Sequence, residues 1–174
     1  MDAQPKIKND IPAPDFTLPD MNGDPHSLEG FRGRIVILNF WSSDCPWSSR
    51  ADQEIKEFLQ EWDISVAYLP IASNGNENKE MITAEAQERG LSILLHDVNQ
   101  QVADLYGAIT TPHVFVIDVQ GFLRYQGAYD DVTFRQRAPT RNYLQMAVET
   151  LMQGEQPNPS QIPSYGCIIV RSFP

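Results

Sequence analysis

Two cysteines in 174 residues are too few for a disulfide framework and exclude a four-thiolate zinc site. The three histidines, His26, His96 and His113, are scattered, with no pair at helical ligand spacing, so no metal centre and no cofactor are expected. Positive charge is also short. Thirteen Lys and Arg stand against 23 Asp and Glu, a formal net charge of −10, and such a field repels phosphate backbones and anionic lipid, which excludes nucleic acid as an expected partner. No apolar run approaches the length of a bilayer span, and Met1 to Asp10 lacks the apolar core of a signal peptide. The expectation is a cytoplasmic protein as given, with an extracytoplasmic place open should a leader have been removed. There is no internal repeat and no low-complexity tract, and the length suits one domain with a core of its own.

What is present reads as an alternation of strands and helices. Ala13-Pro14-Asp15-Phe16-Thr17-Leu18 and the segment from His26 to Leu28 flank Asn22-Gly23, an N-terminal hairpin. Arg34 to Trp41 is almost continuously apolar, the pattern of a central strand covered on both faces. Ala51, Ile55, Phe58, Leu59 and Trp62 repeat at helical spacing behind Pro46, which suits a first helical turn. Ile64 to Ala72 predicts a second buried strand, followed by a polar loop and an inserted helix that ends at Gly90. Leu91 to Leu95 predicts a further strand, and Asp97 caps a helix with Val98, Val102 and Leu105 inward and Gly107 as its stop. The segments His113 to Asp118 and Phe122 to Tyr129 predict an antiparallel hairpin, and a last helix runs from Pro139 to Gln153. The order predicts an α/β domain over 13–154, a mixed sheet with helices on both faces. Residues 1–12 are expected to be flexible, and 155–174, with Pro157, Pro159 and Pro163, to form an extended tail carrying Cys167.

The stretch Trp41-Ser42-Ser43-Asp44-Cys45-Pro46-Trp47-Ser48 lies where a buried strand gives way to a helix. That places the Cys45 sulfur among unpaired N–H groups at the positive helix end, which favours the thiolate, the nucleophilic form. The sulfur is expected to stand open to solvent or to a docking peptide. Asp44 opposes the thiolate by like charge unless its carboxylate turns away to cap the helix. Thr111-Pro112 precedes a strand, where a cis bond would present the Thr111 backbone for strand-like pairing. His113 is read either as a proton shuttle beside the thiol or as a packed, hydrogen-bonded histidine. Trp41 and Trp47 offer an apolar platform over the cysteine, with core packing the alternative for Trp41. Ser42 and Ser48, each three residues from Cys45, carry hydroxyls within sequence reach of the sulfur.

The Trp41-x-x-Asp44-Cys45-Pro46-x-Ser48 stretch, Thr111-Pro112 and the Ala13-Pro14-Asp15-Phe16 opening together resemble the thioredoxin-like redoxins of the alkyl hydroperoxide reductase and thiol-specific antioxidant superfamily. The resemblance implies a thioredoxin fold, Cys45 as the attacking thiol and a cis Thr111-Pro112 bond facing it. Two departures stand out. Ser48 occupies the second-cysteine position of the reductase Cys-x-x-Cys pair. The peroxiredoxin motif is incomplete as well: Ser42 fits its hydroxyl position, but Leu38 replaces its proline, and before the late strand, where many peroxiredoxins have an arginine, this chain has Thr111-Pro112-His113. Tyr165-Gly166-Cys167 is similar to the Gly-Cys ending of a group of bacterial peroxiredoxin-like proteins that share Tyr106-Gly107 and Thr-Pro-His. That group often has a cysteine at the place of Ser42, so the likeness leaves Cys167 as the internal thiol for resolving an oxidised Cys45. Thirteen positions separate it from Gly154, a reach of up to roughly 40 Å against a radius of gyration of about 16 Å.

The leading expectation is a thiol-disulfide oxidoreductase or peroxiredoxin-like reductase. Its partners would be a protein or small-molecule thiol, disulfide or peroxide, together with an external thiol reductant. A one-cysteine thiol peroxidase and a non-catalytic thioredoxin-fold binding module are the alternatives.

Overall fold

The computed structural model describes residues 6–172. β1 (Thr17–Pro19) pairs antiparallel with β2 (Pro25–Ser27), Leu18 opposite His26, as the Asn22-Gly23 turn predicts. β3 (Ile35–Trp41) is buried along all seven residues and runs through a short loop into α1 (Pro46–Trp62). β4 (Val66–Ala72) returns parallel to β3, from Ile35 opposite Val66 to Trp41 opposite Ala72. There follow α2 (Lys79–Glu88), β5 (Leu95–His96), α3 (Gln101–Tyr106), β6 (Thr110–Thr111) and the hairpin of β7 (His113–Ile117) and β8 (Leu123–Gly127). The chain ends with α4 (Tyr143–Met152), β9 (Gln161–Ile162) and β10 (Cys167–Ile168). The central sheet has the order β5-β4-β3-β7-β8-β9; its β7 pairings are antiparallel and the remaining ones parallel. This is the mixed, helix-covered sheet that the sequence predicts, in the thioredoxin arrangement.

Side chains alternate across the pleat and so build two cores. Val36, Leu38 and Phe40 of β3 join Phe115 and Ile117 beneath the N-terminal hairpin, α3 and Ile169 of the tail. Phe40, Tyr106 and Phe115 form an edge-on aromatic set, with Tyr106 and Phe115 centroids 5.2 Å apart at 76°, each such pair contributing about 0.5–1.5 kcal/mol beyond area burial. On the other face Ile35, Ile37, Val114 and Val116 meet Ala51 and Ile55 of α1 and Leu144, Ala147 and Val148 of α4. Among the described residues no helix is long and apolar enough to cross a membrane.

Several boundaries differ from the sequence reading, each for a local reason. Leu91 to Leu95 contributes only the Leu95–His96 strand, because residues 91–94 serve as the return from α2. The helix after Asp97 begins at Gln101, so Val98 is exposed and Leu105 partly so, and only Val102 of the three predicted inward residues is buried. Asp97 still receives the Val102 and Ala103 N–H groups. The last helix starts at Tyr143 rather than Pro139, where the Asn142 side chain accepts from the Gln145 N–H and caps it. In the 1–12 segment expected to be flexible, residues 1–5 lie outside the described residues, whereas Ile7 is buried in the core and the Asp10 N–H donates to the Leu123 carbonyl at 2.8 Å. The tail is extended, as its prolines require, but it is also paired: β9 lies on β8, and β10 on β6.

Candidate active site

β3 delivers the chain to the end of the sheet, and α1 carries it away with Cys45 as the N-cap residue and Pro46 at the first helical position, where a missing N–H costs nothing. Facing this helix start is the Thr111-Pro112 bond, which is cis. The Cys45 sulfur lies 3.0 Å from the Thr111 carbonyl oxygen, to which a thiol can donate. It lies 2.6 Å from the Cys167 sulfur, both thiols being free. Two residues remote by 122 positions thus meet because β10 pairs antiparallel with β6, Cys167 directly opposite Thr111. Gly166 makes this approach possible, since a Cβ there would collide with the Thr111 carbonyl. The expectation of an open sulfur is corrected: Cys45 is only 1% exposed, and its cover is the tail that carries the second thiol.

The two thiols differ in acidity. Burial pushes the Cys45 thiol up, but the Cys167 thiol, the otherwise unpartnered Thr111 hydroxyl and the Ser48 backbone N–H favour its anion and bring it below the ordinary thiol value. Burial, the adjoining Cys45 and the Asp44 carboxylate push Cys167 up to about 12. Asp44 does not cap the helix; it is exposed, and its charge acts on Cys167. The pair therefore divides into one thiol drawn towards its anion and one that holds its proton.

The loop before Cys45 is held from two sides by residues that the sequence reading passed over. Glu77 Oε1 accepts from the Ser42 hydroxyl at 2.6 Å, from the Ser43 N–H at 2.9 Å and hydroxyl at 3.0 Å, and from the Asp44 N–H at 3.3 Å. Arg89 donates to the Ser42 and Ser43 carbonyls at 3.2 and 2.6 Å and stacks on the Trp41 ring, 4.8 Å from its centroid. The same guanidinium lies 3.1 Å from Asp52, a carboxylate 1% exposed that also accepts from Trp41 Nε1 and the Tyr68 hydroxyl. Burial raises the Asp52 pKa, and those three donors offset only part of the rise. One sequence signal for Asp52 existed: it falls on the buried stripe of α1 that also holds Ser48, Ala51, Ile55 and Trp62.

The other sequence candidates separate. Ser42 is turned to Glu77, and Ser48 is fully buried with its hydroxyl unpartnered, so among the named serine groups it is the Ser48 backbone N–H that acts on the sulfur. Trp41 is buried against α2 and is no surface platform. Trp47 is half-buried and packs edge-on against Tyr165 of the tail, centroids 5.5 Å apart, beside an exposed Pro46. His113 is the packed alternative. Its ring stacks on Phe115, Nδ1 accepts from the Ile109 N–H at 3.3 Å, and burial pushes its pKa down to about 3, leaving no imidazolium for the thiolate.

That burial has a measurable cost. Below the ordinary value of 6.5 the unfolded His113 binds a proton that the folded ring refuses. Stability is therefore present in full above that pH and falls as pH drops towards 3, by up to about 1.4 kcal/mol per pH unit. Urea unfolding as a function of pH should show a shallower acid loss for His113→Asn; an unchanged slope would contradict the assignment.

The AhpC/TSA family profile matches residues 10–126. The chain is 33% identical over 110 residues to the thiol-disulfide oxidoreductase ResA of Geobacillus thermodenitrificans, covering 63% of each. It is 26% identical over 121 residues to the thiol:disulfide interchange protein DsbE of Allochromatium vinosum, 67% of this chain and 65% of that one. These matches span just under two thirds of either relative's length. Among solved structures, a hypothetical protein of Sinorhizobium meliloti superposes with a TM-score of 0.87 at 29% identity, covering 97% of both chains; that match includes the tail.

Proposed function

The chain belongs to the AhpC/TSA family, and we propose that it is a thiol-dependent oxidoreductase in which Cys45 attacks and Cys167 resolves. The observation that carries the reading is the 2.6 Å between the two sulfurs at the start of α1. In the first step the Cys45 thiolate attacks one sulfur of a disulfide; a Cys45 mixed disulfide forms and the other half leaves as a thiolate. Cys167 then attacks the Cys45 sulfur, its proton passing to the departing thiol, and the product is a Cys45–Cys167 disulfide. An external dithiol, itself oxidised, returns both cysteines to thiols. With a peroxide the first product would be a Cys45 sulfenic acid, and attack by Cys167 would expel water.

A disulfide is favoured as the oxidant. The Thr111 backbone beside the sulfur pairs in strand fashion with β10 of the tail, and a peptide that displaces this strand would find the same pairing. The Ser42 hydroxyl, which a peroxidase would aim at the substrate oxygen, is taken by Glu77. Stopped-flow mixing of the reduced protein with hydrogen peroxide and, separately, with glutathione disulfide tests this. Peroxide should be consumed within about tenfold of the free-cysteine rate, and the disulfide at least about a hundredfold faster than free cysteine exchanges. The reverse ranking would favour the peroxidase.

A further inference from the structure

A resolving thiol on a twenty-residue tail works only if the tail is held in register, and the residues beyond Cys167 show how. Ile169 is buried in the core, and its N–H donates to the Ile109 carbonyl at 3.0 Å. Val170 is gripped on both backbone groups: its N–H donates to Asn74 Oδ1 at 2.9 Å, and its carbonyl accepts from the Gly75 N–H at 2.9 Å and from Gln100 Nε2 at 2.7 Å. Gln100 Oε1 in turn accepts from the Ser172 N–H at 2.8 Å, while Nε2 also donates to the Ser73 carbonyl. One buried amide therefore joins the end of β4 to two residues of the tail.

Gln100 holds this position in an unfavourable backbone. Its φ of 57° and ψ of 21° are left-handed, a conformation that glycine or asparagine adopts more readily than glutamine. Neither could replace it here, since glycine has no amide and that of asparagine is one methylene short. The side chain, 5% exposed, uses both its donor and its acceptor ends on fixed backbone.

Resting on the proposed resolving role of Cys167, we infer that Gln100, with Asn74, is a positioning residue for resolution: it fixes the tail three residues beyond Cys167 and so sets the local concentration of that thiol at Cys45. It touches neither sulfur. Its effect falls on the second chemical step, where the internal thiol must find Cys45, rather than on the attack of Cys45 on an external disulfide.

Dithiobis-nitrobenzoate separates the steps. The first attack forms a protein mixed disulfide and releases one nitrothiobenzoate; attack by the second protein thiol forms the Cys45–Cys167 bond and releases the other, at a rate independent of reagent concentration. The full-length protein should release two per chain, and release of only one would overturn the resolving role itself. In Gln100→Ala, and in Gln100→Gly, which tolerates the left-handed backbone while removing the whole side chain, the second phase should slow by about tenfold or more with the first phase no slower. Asn74→Ala, which removes the grip from the loop side, should slow it by about threefold. Second phases within about twofold of the parent in all three variants, or a first phase slowed as much as the second, would overturn the inference.

Discussion

Cys45→Ser should lose turnover with disulfide substrates by about a thousandfold or more, because a serine hydroxyl at neutral pH is no substitute for a partly ionised thiol at a helix start. Cys167→Ser should behave differently: the first half-reaction continues, the protein stalls as a Cys45 mixed disulfide, and turnover then depends on added thiol. The two variants are informative together because the acidities of the two groups diverge, one held down by its hydrogen-bond donors and the other pushed up to about 12. In the reduced parent, which keeps the Cys167 donor, the alkylation rate of Cys45 should rise with pH through a midpoint below that of free cysteine. An ordinary thiol midpoint there, with full turnover by Cys45→Ser, would remove the nucleophile assignment.

The second large effect concerns stability. Arg89→Ala removes the cation facing a carboxylate that is 1% exposed and leaves two loop carbonyls without a donor. Removing one partner of a buried pair costs about 3–5 kcal/mol, since the other charge stays in a poor solvent. The sign with pH follows from Asp52. Its pKa is already raised in the fold and rises further without Arg89, so the folded variant binds a proton that the unfolded chain binds less tightly. The loss should therefore be greatest at neutral pH and shrink as pH falls below the folded pKa of Asp52. Asp52→Asn in the same background should recover part of it. Denaturant unfolding at neutral and mildly acid pH measures both; a loss that grows with acid, or no recovery, would mean that Arg89 acts only through the loop carbonyls.

The elements that build the site were legible in the sequence where the signal is local. An apolar run that ends at Trp41, three polar residues and then Cys45-Pro46 specify a strand, a stop and a helix start, and the apolar spacing from Ala51 to Trp62 fixes which face of that helix is buried. Thr111 and Pro112, picked out by resemblance, do lie at the sulfur. What stayed hidden depends on long-range pairing. Glu77 in a polar loop and Arg89 beside a terminating glycine carry the signature of solvated charge, and only the fold folds both back over Ser42 and Ser43. Gln100 was equally silent, because its role requires a tail seventy positions later. Val98 and Leu105 illustrate the converse error: apolar residues at helical spacing were assigned to a buried face, but the helix begins after Gln100 and leaves both towards solvent.

The central claim is that one sulfur attacks and the other, brought in by the tail strand, closes on it. Oxidation of the reduced protein with one equivalent of a small disulfide, followed by non-reducing digestion and mass spectrometry, tests it most directly. The account predicts a single cross-linked peptide pair joining Cys45 to Cys167 within one chain, with the closing step, release of the second small thiol, running at a rate independent of protein concentration. A product in which Cys45 keeps the small thiol while Cys167 remains free, or in which the link joins two chains, would contradict it.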